Sequence, residues 1–121
     1  MSLARMSDRP EEIRLRERGR LLVLIYADGT SISLRAEYLR VESPSAEVQG
    51  HKPDEKIIVP GKSTVAISRL EPVGNYAVRI IFDDGHGSGL YTWPYLAELC
   101  REEEKRWPEY LRRLEAEGLA R

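Results

Sequence analysis

The chain is most informative at the stretch Pro72-Val-Gly-Asn-Tyr-Ala-Val-Arg-Ile-Ile-Phe-Asp-Asp-Gly-His86. Its apolar and β-branched run, Tyr76 to Phe82, predicts a strand. Gly74-Asn75 predicts a reversal before this strand. Asp84-Gly85 predicts a second reversal after it, toward another strand at Gly89 to Thr92. The stretch therefore predicts consecutive antiparallel hairpins.

The residues before this stretch repeat the same pattern. Glu11 to Arg16 alternates apolar and charged side chains, and Leu21 to Tyr26 is an apolar run, so each predicts a strand. Asp28-Gly29 predicts a two-residue type I′ turn, because glycine tolerates positive φ. Thr30 to Leu34 should then return antiparallel. Arg35 to Leu39 predicts a single helical turn.

A polar segment separates the two predicted groups of strands. Glu42 to Lys56 contains two prolines and Gly50, which is typical of a loop. Val59-Pro-Gly-Lys62 predicts a further turn. The apolar residues Val65 and Ile67 begin a long strand that should end at Pro72.

The C-terminal part predicts helix. Pro94 suits a first helical turn, and Leu96, Leu99 and Cys100 share one face at helical spacing. Pro108 should break the tail into two helices. After that break one face is expected to carry Trp107, Leu111 and Leu114, and Gly118 to end the helix. The sequence predicts one α+β domain over residues 10–121, made of antiparallel strands and hairpins with a C-terminal helical tail.

Composition excludes several classes of protein. Lys and Arg total 19 and Asp and Glu total 20, so the net charge gives no general attraction to nucleic acid or an anionic membrane. A single cysteine, Cys100, excludes an internal disulfide and fits a reducing compartment, so we expect a cytoplasmic protein. No apolar run approaches the ~20 residues that span a bilayer. Residues 1–9 lack the apolar segment of a secretory signal and are expected to be a disordered leader.

The candidate metal ligands are two histidines and two carboxylates. His86 follows Asp83 and Asp84 at a predicted turn, and His51 lies in the polar loop. These four side chains could form a two-histidine site with a carboxylate as third ligand. The alternative is that Asp-Gly serves only the geometry of a turn.

Ser43-Pro44-Ser45 is the other chemically suggestive segment. Two serines could supply a nucleophile, but the segment lacks a glycine elbow and the sequence assigns no base. The simpler interpretation is a loop in which Ser45 caps a short helical segment.

Two stretches, Leu39 to His51 and Pro72 to His86, resemble the small N-terminal domain of gamma-butyrobetaine and trimethyllysine hydroxylases. The resemblance extends from about Glu11 to about Leu114. In bacteria this domain also occurs alone. The resemblance implies the fold and a location for a zinc site, because the animal enzymes bind structural zinc through three cysteines and a histidine.

The cysteine positions of that zinc site correspond here to Ser43, Ser45 and Val48, and its histidine to His86. Serine and valine are poor zinc ligands. We therefore expect no bound metal and no cofactor, and we expect His86 to bond the Ser43–Ser45 segment instead.

The resemblance implies a non-catalytic interaction or scaffolding module, since the domain is found fused to dissimilar proteins. The partner would be a protein, such as an iron–sulfur carrier or an oxygenase, and the chain a monomer or a homodimer. The expected binding surface contains Ser43, Ser45, His51, Asp83, Asp84 and His86. The alternative is a metal-binding accessory to iron–sulfur cluster assembly or to a 2-oxoglutarate oxygenase. An oxygenase activity of its own is rejected because the iron and 2-oxoglutarate domain is absent.

Overall fold

A computed structural model describes residues 8–50 and 55–121. These residues form two three-stranded antiparallel sheets and a long C-terminal helix, which confirms the predicted α+β class. Each sheet has its strands in sequence order. The elements are β1 (Glu12–Arg16), β2 (Leu21–Ile25), β3 (Ser31–Arg35), α1 (Ala36–Val41), α2 (Ala46–Gln49), β4 (Ile67–Val73), β5 (Ala77–Phe82), β6 (Leu90–Thr92) and α3 (Trp93–Ala116).

The predicted leader, residues 1–9, lies mostly outside the described residues. Its last residue, Arg9, is within them and donates a hydrogen bond from Nη1 to Asn75 Oδ1 at 2.8 Å. Pro10, the first residue of the predicted domain, is buried.

The first sheet buries one face, which the alternation in β3 predicts. Leu22 and Leu24 of β2 and Ile32 and Leu34 of β3 all point into the core. The turn between these strands differs from the prediction. Asp28 does not have the positive φ that a type I′ turn requires, and only Gly29 does, at 85°. The loop is a longer one closed by hydrogen bonds from Gly29 N and Tyr26 N.

The connection between β1 and β2 is a tight 3-10 turn at Glu17–Gly19 that the sequence analysis did not identify. All three residues have positive φ, including the non-glycine residues Glu17 and Arg18. Gly19 lies against β4, where an added Cβ would be 2.3 Å from Ile67 O. This close backbone contact brings the two sheets together, and only glycine leaves room for it.

The second sheet contains the predicted hairpins. β4 and β5 pair from Ile67 to Val73, with one irregularity between Ile67 and Arg69. β5 then pairs with β6 through Ala77, Val78 and Arg79.

Helix α3 corrects the prediction of two helices. It is continuous from Trp93 to Ala116 and contains Pro108. Proline removes a hydrogen bond to the carbonyl four residues earlier, at Glu104. Both Pro108 and Glu104 are exposed, so water can satisfy that carbonyl. Tertiary packing on the opposite face keeps the helix intact.

Both ends of α3 are capped. Thr92 accepts a hydrogen bond from Tyr95 N at 3.2 Å, which caps the N-terminus. Gly118 has φ of 68°, as expected for the predicted stop. Bonds from Gly118 N to Glu115 O and from Leu119 N to Leu114 O form a Schellman motif.

One core lies between the sheets, α1 and α3. Leu96 and Leu99 are fully buried in it and Cys100 packs against it, as predicted. Leu111 does not belong to this face, because it is 37% exposed. Tyr110 takes its place and packs with Leu114 and Trp107. Within the described residues no helix is both long and apolar enough to cross a bilayer.

Candidate interaction site

Two loops meet at one end of the molecule. The serine loop is defined as Ser43–Gly50, and the histidine loop as Asp83–Gly89. Ser43 Oγ lies 2.8 Å from His86 Nε2, and Ser45 Oγ lies 2.8 Å from Ser88 Oγ. The structure thus contains the predicted contact between His86 and the Ser43–Ser45 segment, and it adds a second contact through Ser88.

The serine loop has its shape because its polar groups bond locally. Ser45 Oγ accepts from Glu47 N at 3.2 Å and caps α2, as predicted. Gln49 Nε2 donates to Ser43 O at 2.7 Å, which closes the loop on itself. Val48 points inward and is buried. The loop is therefore ordered by its own hydrogen bonds as well as by the histidine loop.

The histidine loop is a hairpin turn that continues from β5. His86 N donates to Asp84 Oδ1 at 3.0 Å, and Phe82 N donates to His86 O at 2.9 Å. Gly89 lies against Ser43, where an added Cβ would be 2.6 Å from the serine Oγ. The close approach of the two loops therefore requires glycine at this position.

Asp84 stabilises the histidine loop from the side. Its Oδ2 lies 2.8 Å from Arg40 Nε and 2.7 Å from Lys62 Nζ. Burial by itself would raise the pKa of this carboxyl. The hydrogen bonds from Lys62, from the His86 amide and from Arg40 outweigh burial and lower the pKa of Asp84 to about 2. Asp84 is thus an ionised structural anchor.

Asp83 serves a different contact. Its Oδ1 accepts a hydrogen bond from Ala66 N at 3.0 Å, and Asp83 N donates to Ala66 O at 2.8 Å. The residue joins the end of β5 to the segment before β4. Of the two candidate carboxylates, Asp84 accepts from the His86 amide, whereas Asp83 accepts from the segment before β4.

His86 is buried between the loops. Its side chain is 3% exposed, and its Nδ1 lies 3.3 Å from Glu47 Oε2. Burial lowers the pKa of His86 and the nearby Arg40 guanidinium lowers it further, against the opposing effect of Glu47. The ring is therefore neutral near pH 7. Donation from Nδ1 to Glu47 then leaves Nε2 to accept the Ser43 hydroxyl proton.

The order Ser43–His86–Glu47 has the connectivity of a nucleophile, a base and an orienting carboxylate. Sequence analysis could not assign a base, and the structure provides one in His86. However, Ser43 is fully buried, and its Oγ lies against Gly89. A substrate cannot reach this hydroxyl in the arrangement described. The three groups hold the loops together and do not present a nucleophile.

The residues that the resemblance places at the zinc-site positions do not fit zinc. The hydroxyls of Ser43 and Ser45 are engaged with His86 and Ser88, and Val48 offers no ligand atom. Across residues 8–50 and 55–121, no group of three or more His, Cys, Asp and Glu side chains is arranged to hold a metal ion. The remaining candidate ligand, His51, lies outside the described residues.

Sequence analysis missed several residues of this region, namely Glu47, Arg79, Arg40, Lys62 and Ser88. A shallow depression of about 530 Å³ is lined by Glu47, Arg79, Gly85, His86, Gly87 and Ser88. Arg79 comes from the middle of β5, so no local sequence pattern connects it with Glu47. The alternation within β5 gave the one available signal, since it predicts that Arg79 points to solvent.

One family model matches a range of the chain that includes both loops. The model described as "Gamma-butyrobetaine hydroxylase-like, N-terminal" matches residues 13–97, more than half of the chain. The chain belongs to this family. The match confirms the resemblance carried by the two loop stretches. No curated protein matches the chain.

Solved structures extend the comparison to nearly the whole chain. One protein solved by NMR in solution is 44% identical with a TM-score of 0.78, over 94% of this chain and 90% of that chain. A second NMR structure is 40% identical with a TM-score of 0.80, over 94% and 85%. A crystal structure from Acidithiobacillus ferrooxidans, a protein of unknown function in the DUF971 family, is 39% identical with a TM-score of 0.63, over 78% and 94%. These structures are small stand-alone domains of similar extent.

Proposed function

We propose that the chain is a non-catalytic interaction module whose binding surface is formed by the serine and histidine loops together. The observation that carries this proposal is the pair of hydrogen bonds, Ser43 to His86 and Ser45 to Ser88, which join the loops into one surface. Loops held on a rigid scaffold are where recognition residues usually lie.

The exposed chemistry of this surface suits a polar protein partner. The Glu47 side chain is 70% exposed, and Arg79 on β5 is exposed on the same depression. Gly85 is exposed and Gly87 is half-buried on the same depression. Opposite charges on one depression favour a partner of matching polarity.

The burial of the reactive groups supports binding over catalysis. Ser43 and His86 are both buried, so the exposed groups are Glu47, Ser88 and Arg79. The resemblance implies that partners include iron–sulfur carriers or oxygenases. We place this interaction in the bacterial cytoplasm, because the lone cysteine, Cys100, is unpaired and suits a reducing compartment.

The proposal is tested by affinity capture from native extract, with the captured proteins quantified by mass spectrometry. Glu47→Lys and Arg79→Glu each reverse a charge on the depression and should reduce capture of the specific partner at least about tenfold. The matched control is Arg112→Glu, which reverses an exposed charge on α3. This control should retain capture.

Thermal unfolding of all three variants checks that each one folds. Glu47→Lys also removes the contact with His86 Nδ1, so Arg79→Glu is the variant that changes only the exposed charge. Loss of the same partner from Glu47→Lys and Arg79→Glu, but not from Arg112→Glu, supports the proposed surface. Equal capture by all four proteins, or equal loss from the control, means that the partner binds elsewhere.

A further inference from the structure

The two sheets have edge strands of different character. β4 is an edge strand with a register shift between Ile67 and Arg69 and with Pro72 near its end, and both features oppose pairing with another strand. β1 is an edge strand with an unbroken register from Glu12 to Arg16. Among the described residues, β1 pairs only with β2. The hydrogen-bonding groups on its other side therefore have no strand partner among these residues, and Glu12 and Ile13 share a depression with Pro72 of β4.

We propose that β1 pairs antiparallel with β1 of a second copy of this chain, which makes a two-fold symmetric dimer with a continuous six-stranded sheet. This surface is separate from the serine and histidine loops, and the inference does not rest on the proposed function. In this orientation the charged and apolar side chains of one β1 are complementary to those of the other.

Charge complementarity favours one register. When the two strands pair about Arg14, all five residues of each strand are matched, and Glu12 of each copy lies opposite Arg16 of the other. The Glu12, Arg14 and Arg16 side chains share the outward face, because they alternate with Ile13 and Leu15. Opposite charges directly across an antiparallel pair attract, so the two symmetric Glu12–Arg16 pairs stabilise this register.

The inward face is complementary as well. In the same register Ile13 lies opposite Leu15 of the other copy, twice. Leu15 is 37% exposed, and Ile13 is half-buried against the core. Pairing covers these side chains with each other and continues the apolar face of the first sheet.

The two Arg14 side chains meet at the symmetry axis. Each is held by its own Glu12, with Arg14 Nε 2.7 Å from Oε1 and Nη2 3.0 Å from Oε2. In the dimer each Glu12 therefore lies between Arg14 of its own strand and Arg16 of the other copy. The carboxylates on either side of the axis offset the repulsion between the two arginines.

Sedimentation velocity of the full chain, from about 10 µM to about 1 mM, measures the association directly. The wild-type chain should sediment as a monomer–dimer mixture whose dimer fraction rises with concentration. Arg16→Glu places two carboxylates opposite each other at both ends, and Glu12→Arg does the same with two cations. Each variant should raise the dissociation constant about tenfold or more.

Mixing the two variants provides the decisive comparison. In a mixed dimer, the arginine introduced at position 12 faces the glutamate introduced at position 16, and the native Arg16 faces the native Glu12. The mixture should therefore recover dimerisation. Arg69→Glu, on the exposed edge of β4, is the control and should associate like wild type. A wild-type chain that stays monomeric throughout, or a mixture that associates no better than its components, would overturn the proposal.

Discussion

At the scale of single residues, His86 contacts both loops. It is buried, it contacts Ser43 and Glu47 through its two ring nitrogens, and its amide bonds to Asp84. Such a histidine must be neutral to accept the serine proton, and burial together with Arg40 lowers its pKa accordingly. Protonation of His86 at low pH would therefore break the hydrogen bond from Ser43 that joins the two loops.

Stability should fall as the pH is lowered through the histidine range. The folded pKa of His86 lies below its ordinary value of 6.5, so the unfolded chain binds a proton more readily than the folded chain. The stabilisation is complete above pH 6.5 and is lost as the pH falls toward the folded pKa. Urea unfolding at pH 7 and pH 5 should show this loss, and His86→Gln should remove most of it.

Replacement of a neighbouring hydroxyl gives the control for this pH dependence. Ser88→Ala removes the partner of Ser45 Oγ but no titratable group, so it should unfold with the wild-type pH dependence. Asp84 does not interfere in this window, because its pKa of about 2 lies below the ordinary 3.8 and its stabilisation is lost only as the pH falls from about 4 toward 2. Identical pH dependence in His86→Gln and wild type would contradict the assignment of a neutral buried His86.

At the scale of structural elements, the turn at Gly85 needs glycine because of its positive φ, and not because a side chain would clash with a neighbour. Its φ is 91°, and an added Cβ would meet no atom within 4 Å. Gly85→Ala should therefore lower the free energy of unfolding by about 1 kcal/mol through backbone strain. Gly85→Asn should lower it less, because asparagine tolerates positive φ. Chemical denaturation measures both, and a neutral or stabilising alanine would mean that the turn is wrongly described.

Helix α3 depends on one buried face. Leu99 is fully buried, and Leu111 on the same helix is 37% exposed. Leu99→Ala should cost about 2–5 kcal/mol of unfolding free energy, the range for a buried leucine. Leu111→Ala is the matched control and should cost less than about 1 kcal/mol. Equal effects of the two substitutions in denaturant unfolding would refute the assigned orientation of the helix.

At the scale of the whole molecule, most strands and helices could be predicted from the sequence. Whether a helix continues through an internal proline could not. Alternation of apolar and polar residues located the strands, and Pro94 and Gly118 located the ends of α3. Pro108 was misjudged because a local rule ends the helix there, whereas packing by Tyr110 and Leu114 on the other face maintains it. Tertiary packing cannot be derived from a local pattern.

The loop region was predictable only in part. The contact of His86 with the Ser43–Ser45 segment could be expected from the resemblance. In the family, the residues that correspond to these positions bind one zinc ion and so lie close together. Arg79 and Glu47 could not be assigned to one depression in advance, because they come from β5 and α2, which are distant in sequence. The charge and the expected exposure of a single residue do not show which distant residue will lie beside it.

Zinc should be absent from the purified protein. The resemblance places Ser43, Ser45 and Val48 at the positions of the family's cysteine ligands, and the two hydroxyls are engaged in hydrogen bonds. We expect elemental analysis of protein prepared without added metal to find well under one equivalent of zinc. Chelator should leave the melting temperature unchanged, because folding is not coupled to a metal. Stoichiometric zinc, or a large chelator-induced decrease, would contradict this.

The hydrogen bond between Ser43 and His86 joins the two loops, so a double-mutant cycle on this pair is the most direct measurement. Ser43→Ala, His86→Ala and the double variant are compared with wild type by denaturant unfolding. The buried hydrogen bond predicts a coupling free energy of about 1 kcal/mol. Additive effects, within about 0.3 kcal/mol, would show that the Ser43–His86 hydrogen bond does not hold the two loops together.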